Sequence, residues 1–301
     1  MTNTISYIKD SLKGIYTLNE INSFIRLIME RVCNLPPYKL LLDKDTELSD
    51  TEKRQIQEIV ERLKKEEPLQ YIIGTADFYG LLFKVSPAVL IPRSETEELV
   101  DLVLKELQTT DPTQPLRLLD IGTGSGCIAI TLAHHLPYAE VFALDVSADA
   151  LQMASQNAQQ SAPQVHLLQA DILAPEILEE GHLFKSFGLS DPSPISFRND
   201  LQLIISNPPY VMECEKQEME NNVLGYEPHL ALFVPDHDPL CFYRQIARLG
   251  QKALAPGGLL YFEINGQLGD EMVHLLQTEG YREVTLIRDL SNKDRILKAK
   301  L

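Results

Sequence analysis

Asn207-Pro208-Pro209-Tyr210 follows the apolar run Leu203-Ile204-Ile205-Ser206, so an amide, two stiff residues and an aromatic ring stand at the end of a predicted strand. The Asn207 side-chain oxygen and the Pro208 carbonyl are both acceptors, and each can hold one N–H of a planar NH2 group. Neither proline carries an N–H to compete, and both fix φ, so the loop is rigid. Tyr210 offers a flat ring to a flat substrate group. Holding both hydrogens aims the nitrogen lone pair, and aiming is a large part of group transfer. By themselves the four residues read more often as a turn, since Asn-Pro and Pro-Pro are common turn formers. What lies upstream changes the weight.

There, Leu118-Leu119-Asp120-Ile121 runs into Gly122-Thr123-Gly124-Ser125-Gly126 and then Cys127-Ile128-Ala129-Ile130. This is a strand–loop–helix of nucleotide-binding type, in which glycines admit a ligand to the backbone. The spacing is G-x-G-x-G, unlike the dinucleotide G-x-G-x-x-G, and no Gly-Lys-Ser/Thr follows as in a P-loop. Asp120 would repel phosphate; it is expected to organise the loop by hydrogen bonds or to favour a cationic ligand. The next predicted strand, Val141-Phe142-Ala143-Leu144-Asp145, ends in a carboxylate suited to both hydroxyls of a ribose. A third ends in Asp171, which can accept an adenine amino group. Four such strand ends converge on one edge of a parallel sheet, where ligands bind. Adenosine with a cationic centre, beside a clamp for NH2, reads as S-adenosylmethionine methylating a nitrogen.

From about residue 67 to the end, the chain resembles the HemK/PrmC family, the protein-(glutamine-N5) methyltransferases that modify peptide chain release factors. Besides Asp120 to Gly126 and Asn207 to Tyr210, the resemblance rests on Pro68 to Gly74, Phe78-Tyr79-Gly80 and Leu90 to Val100. Tyr226-Glu227-Pro228, Gly257-Gly258, Glu263 to Gln267 and Asp289 to Arg295 continue it in order. The chain departs from the usual pattern at Ser94, Asn265 and Ser291-Asn292. The resemblance implies that Gly122, Thr123, Gly124, Ser125, Gly126 and Asp145 bind S-adenosylmethionine, with Ile172 against the adenine. It implies that Asn207 touches cofactor and substrate, and that Pro208, Pro209 and Tyr210 grip the glutamine amide. Asn207, Pro208 and Tyr210 would then carry catalysis. It also implies a Gly-Gly-Gln loop as the target and a separate helical domain that helps recognise the protein substrate.

Composition narrows the reading. A chain of 301 residues has room for one or two domains with proper cores. Its 44% hydrophobic and 7% aromatic content is that of a folded soluble protein. A formal charge of -16 argues against a broad phosphate-binding surface. That weighs against the main alternative, a nucleic-acid base amino methyltransferase acting on adenine N6 or guanine N2 with the same Asn-Pro-Pro-Tyr chemistry. Cys33, Cys127, Cys214 and Cys241 are far apart, with neither a disulfide framework nor zinc spacing, and no histidine shows ligand spacing. No metal is expected. No apolar stretch approaches the roughly 18 residues of a membrane span. A cytoplasmic monomer without nucleic-acid or membrane partners is expected.

The elements that must position these groups follow from patterning. Thr17-Leu18-Asn19-Glu20 and Ser49-Asp50-Thr51-Glu52 are capping boxes. The first opens an amphipathic helix through Ile21, Phe24, Ile25, Ile28 and Val32, stopped by Pro36-Pro37; the second opens one through Ile56, Ile59, Val60 and Leu63. Residues 1–66 are thus expected as a small helical domain, 67–92 as a hairpin linker, and 93–301 as the methyltransferase domain. Helices are predicted over Glu95–Leu107, Gly126–His135, Ala148–Gln160, Pro239–Ala255 and Gly269–Glu279, alternating with strands. Leu259–Ile264, Val284–Arg288 and Arg295–Lys300 are the later strands, the last two an antiparallel addition at one edge. Residues 174–200 read as a surface insertion. The fold class is α/β: a Rossmann-like, mostly parallel sheet preceded by a helical domain and a hairpin.

Overall fold

The computed structural model describes residues 2–36, 47–107, 114–179, 182–188 and 195–301. Its helices include α1 (Thr2–Leu12), α2 (Leu18–Cys33), α3 (Asp50–Leu63) and α4 (Leu69–Ile73). Both capping boxes form: Glu20 accepts from the Thr17 amide at 2.7 Å, and Glu52 accepts from the Ser49 amide at 2.7 Å. The α2 stripe buries Ile21, Ile25, Ile28 and Met29, and α3 buries Ile56, Ile59, Val60 and Leu63. These side chains form one core. Helix α2 ends at Asn34, whose φ of 50° is a left-handed cap, rather than at the proline pair. Pro37 lies outside the described residues.

The chain divides into two units, Met1–Gly74 with Glu220–Tyr226, and Thr75–Met219 with Glu227–Leu301. The first therefore recruits α8 (Asn221–Tyr226) from far along the chain. Tyr226 donates its hydroxyl to the Lys65 carbonyl at 2.8 Å, and Asn221 donates to Glu66 at 3.3 Å. The expected linker is split between the units. Residues 69–73 are helical, while β1 (Thr75–Phe78) and β2 (Leu81–Lys84) pair as a hairpin around Tyr79-Gly80. Phe78 and Phe83 are fully buried in a sheet-side core, so the hairpin belongs to the second unit. Asn157 holds it by accepting from the Lys84 amide and donating to its carbonyl.

That unit is built on the strands β3 (Arg117–Ile121), β4 (Glu140–Asp145), β5 (His166–Gln169), β6 (Lys185–Ser186), β7 (Leu201–Ser206), β10 (Leu254–Glu263), β11 (Arg282–Arg288) and β12 (Asp294–Lys300). They form one sheet in the order β11-β12-β10-β7-β3-β4-β5-β6. Strands β10, β7, β3, β4 and β5 are parallel, and β12 enters antiparallel between β10 and β11. Both β faces are apolar, as parallel strands covered twice require. Leu118, Val141, Leu203 and Ile205 pack under α5 (Ser94–Leu107), α6 (Cys127–His135) and α7 (Ala148–Ser161). Leu119, Phe142, Ile204 and Phe262 pack under α9 (Cys241–Ala253) and α10 (Gly269–Thr278).

Three features were not expected. Strand β6 pairs antiparallel with β5, and β8 (Val211–Met212) pairs with β9 (Phe233–Val234) in a separate small sheet. Part of the 174–200 stretch is core rather than surface. Ile177, Phe184 and Phe197 are buried beside Phe142, because widely spaced apolar residues in a turn-rich segment can still cover a sheet edge. Its turn-forming Glu180-Gly181 and Ser190 to Pro194 lie outside the described residues.

Candidate active site

Strand order reverses between β3 and β7: the chain winds outward from β3 through β4 and β5 on one side, and through β7 and β10 on the other. A crevice opens at such a switch point, beyond the carboxyl ends of the strands. The register pairs Ile121 with Ser206, so the glycine loop and the Asn-Pro-Pro-Tyr loop leave the sheet side by side. Ser206 locks them further by donating its hydroxyl to the Ile121 carbonyl at 2.6 Å. A Cβ on Gly122 would lie 4.0 Å from the Asn207 carbonyl oxygen, and Gly122 has a φ of 76°. The predicted residues Gly122, Thr123, Gly124, Ser125, Asp145, Ile172, Asn207, Pro208 and Pro209 all line one cleft.

Two predicted residues do not line it. Gly126 sits beneath the loop with φ at 83°, where a Cβ would be 2.7 Å from Ile130 Cδ1 and 3.2 Å from Ala154 Cβ. Its role is the close approach of loop and helix. Gly126→Ala should therefore lower stability by about 1–3 kcal/mol, read as a shifted denaturant midpoint; an unchanged midpoint would refute this packing argument. Tyr210 packs its ring against the α9/α10 core and donates its hydroxyl to Glu263 Oε1 at 3.1 Å. Burial drives that phenol well above its ordinary range, and the Glu263 charge adds to the effect. It anchors the loop from behind.

The acids divide their work. Asp145 Oδ2 accepts the Gly124 amide at 2.8 Å and Oδ1 accepts the Ser147 amide at 2.9 Å, so this carboxylate shapes the loop at the cleft wall. Burial raises its pKa, while the amides of Ser147, Gly124 and Val146 pull it down. Asp171 also lines the cleft, with Oδ1 accepting the Leu173 amide at 2.9 Å. Asp120 is buried behind the loop and accepts the Thr123 hydroxyl at 2.6 Å, which is the loop-organising role of the two expected for it.

Burial pushes the Asp120 carboxyl up to about 7, against the pull of Thr123 and the Ala129 amide. A carboxyl raised in the folded state ionises sooner in the unfolded chain. Its stabilising contribution is present at acid pH and is lost as pH rises from the usual carboxylate range through about 7. Asp120→Asn cannot titrate. Between about pH 5 and about pH 7 the variant should lose less stability than wild type, by up to about 1.4 kcal/mol per pH unit. Parallel pH profiles of the two proteins would contradict this.

Residues that local sequence reasoning did not assign complete the wall. Arg93 and Thr96, from the segment entering α5, line the cleft. Glu227 is 4% exposed; it accepts the Ile91 amide at 3.2 Å and pairs with Arg93, fixing that segment. Asn207 donates to the Thr96 hydroxyl at 3.2 Å, and Thr96 donates to Glu263 Oε2 at 2.7 Å. Asn265, one of the departures from the usual family pattern, donates to the Tyr210 carbonyl at 3.3 Å and to Glu215 at 3.1 Å. Glu263 stood in one of the family-like stretches, and a charged residue ending the apolar run Leu259-Leu260-Tyr261-Phe262 was the local signal for it.

The cleft thus combines exposed backbone at a glycine loop, an acceptor carboxylate one strand over, an apolar wall at Ile172, and a rigid pair of acceptors at Asn207 and Pro208. Such a donor set suits a nucleoside held by its diol, with an NH2 group presented next to it. Residues 4–74 match the family described as PrmC N-terminal domain, and residues 118–184 the one described as Methyltransferase domain. The chain is 46% identical over 299 residues to the release factor glutamine methyltransferase of Bacteroides thetaiotaomicron, covering 99% of each chain. To that of Flavobacterium psychrophilum it is 42% identical over 288 residues, 96% of this chain and 94% of the relative. Among solved structures, the protein-(glutamine-N5) methyltransferase (release factor-specific) from Alicyclobacillus acidocaldarius matches at 26% identity with a TM-score of 0.38, over 72% of this chain and 98% of that one. With identity of this extent over nearly the whole length, the chain belongs to the release factor glutamine methyltransferase family.

Proposed function

We propose that this enzyme methylates the side-chain nitrogen of a glutamine in the Gly-Gly-Gln loop of a peptide chain release factor, using S-adenosylmethionine. The single observation that carries this is that Asn207 and Pro208 line the same cleft as the glycine loop, with 4.0 Å between the Gly122 Cβ position and the Asn207 backbone carbonyl oxygen. S-adenosylmethionine, when bound, supplies an electrophilic methyl on a sulfonium centre. Gly122 to Ser125, Asp145 and Ile172 would hold it. The donor set fits: backbone without side chains at Gly122 and Gly124, a carboxylate for the diol, and a carboxylate-lined cleft tolerant of positive charge.

A carboxamide nitrogen is a poor nucleophile because its lone pair is delocalised into the carbonyl. Asn207 Oδ1 and the Pro208 carbonyl accept its two hydrogens, which enriches the nitrogen in electron density and fixes its direction. The amide nitrogen would form its N–C bond as the S–C bond breaks, and the positive charge would pass from sulfur to nitrogen. The nitrogen, made acidic by that charge, would shed one proton to water, so the cleft needs no strong base. Position and electrostatics carry the rate. Tyr210 supports the grip from behind by holding the loop to Glu263. The first unit, including α8, serves recognition of the protein substrate.

The acidic balance of the chain favours a protein over a polynucleotide substrate. The enzyme acts as a monomer in the cytoplasm, where its substrate is; none of the described helices is long and apolar enough to cross a membrane. Labelled methyl transfer to purified release factor, set against RNA and DNA, tests the reading. Label on the glutamine of the Gly-Gly-Gln peptide, located by mass mapping, is the expected result. Label solely on polynucleotide would overturn it.

A further inference from the structure

We propose that Thr96 and Glu263 form a hydrogen-bond relay that dictates which face of the Asn207 amide meets the substrate, making Thr96 a positioning residue for methyl transfer. The inference deepens the proposed function and rests on the reading of Asn207 Oδ1 as an acceptor for the substrate amide. An asparagine side chain is nearly symmetric in shape, and its two ends differ only in hydrogen-bond polarity. With Oδ1 toward the cleft it accepts an N–H; turned over, it would oppose donor to donor and repel the same group. Something must choose.

The choice follows from counting protons. An ionised carboxylate has acceptors only, and a hydroxyl has one hydrogen to give. Glu263 is 1% exposed and closes β10 directly after Phe262, the residue that pairs with Ser206. Its Oε2 takes the Thr96 hydrogen at 2.7 Å and its Oε1 takes the Tyr210 hydrogen at 3.1 Å. Thr96, itself 2% exposed, then has only lone pairs left to offer Asn207. The group of Asn207 that meets Thr96 at 3.2 Å is therefore the Nδ2 amine, and Oδ1 is delivered to the cleft. Burial raises the Glu263 pKa, while the hydrogen bonds from Thr96 and Tyr210 and the Arg295 cation favour its charged form. One buried acid thus sets the polarity of both ends of the Asn207 to Tyr210 loop.

Thr96→Val keeps the shape and removes the hydroxyl, and Thr96→Ser keeps the hydroxyl and removes the methyl. In single-turnover and steady-state assays on release factor, Thr96→Val should lower kcat at least about tenfold with the Kd for S-adenosylhomocysteine within about twofold of wild type. Thr96→Ser should stay within about threefold of wild type. In an Asn207→Ala background, Thr96→Val should cost nothing more, because the amide it orients is gone. Thr96→Ala serves as a second hydroxyl-free variant if valine does not fold. Wild-type kcat in the hydroxyl-free variants while Asn207→Ala is impaired would overturn the relay and leave the Asn207 reading standing. A Ser variant as damaged as Val, or an added loss in the Asn207→Ala background, would overturn it too. An unimpaired Asn207→Ala would remove the relay together with the reading beneath it.

Discussion

Asn207→Ala should cut kcat by roughly 5- to 150-fold, equivalent to about 1–3 kcal/mol, while cofactor affinity falls far less. Two losses combine. The substrate amide keeps a hydrogen with no acceptor, in a cleft where burial makes that costly. In the proposed grip the remaining acceptor, the Pro208 carbonyl, can hold only one N–H and leaves the nitrogen free to rotate away from the line of attack. The loop itself should persist. Its frame is set by Ser206, by the prolines, and by the Tyr210 bond to Glu263 at 3.1 Å, none of which uses the Asn207 side chain. Single-turnover kinetics on release factor separates the chemical step from binding. A kcat equal to wild type would remove Asn207 from the mechanism.

Asp145→Ala should weaken binding of S-adenosylhomocysteine by about two orders of magnitude, measured calorimetrically, with little effect on folding of the first unit. The carboxylate performs two tasks at once in the structure. It pairs with the Gly124 and Ser147 amides at 2.8 and 2.9 Å, and it faces the cleft. Truncation leaves two backbone donors unpaired, and it deletes the acceptor proposed for a diol. Hydrogen bonds to a charged group are worth about 1.5–3 kcal/mol each, so losing even one or two of them gives the stated factor. Asp145→Asn retains one acceptor and should fall between. Undiminished affinity in the alanine variant would show that the ligand does not lean on this strand end.

How much of this was readable beforehand depends on the distance over which each feature is encoded. Asn207 to Tyr210 and Gly122 to Gly126 are continuous in sequence, and each sits where an apolar strand stops. Local pattern therefore sufficed to name them and to place them on one sheet edge. The thread from Asn207 to Thr96 spans 111 residues, and that from Thr96 to Glu263 spans 167. No local spacing announces such pairs; only the sheet order brings them together. Tyr210 shows a related limit. Its ring type fits either stacking on a ligand or packing in a core, and tertiary context placed the hydroxyl on Glu263. The two-residue strands β8 and β9 are too short for any alternation to register. In the 174–200 stretch, composition described the turns well and concealed Phe184 and Phe197, which a turn-rich segment carries inward one at a time.

Because α8 belongs to the helical unit, the backbone passes between the two units at Gly74/Thr75, Met219/Glu220 and Tyr226/Glu227. They are laced together rather than strung like beads, and a gene cut after Gly74 would not yield two modules. It would strip Tyr226 and Asn221 of their acceptors at Lys65 and Glu66 and leave a frayed turn downstream of Tyr210.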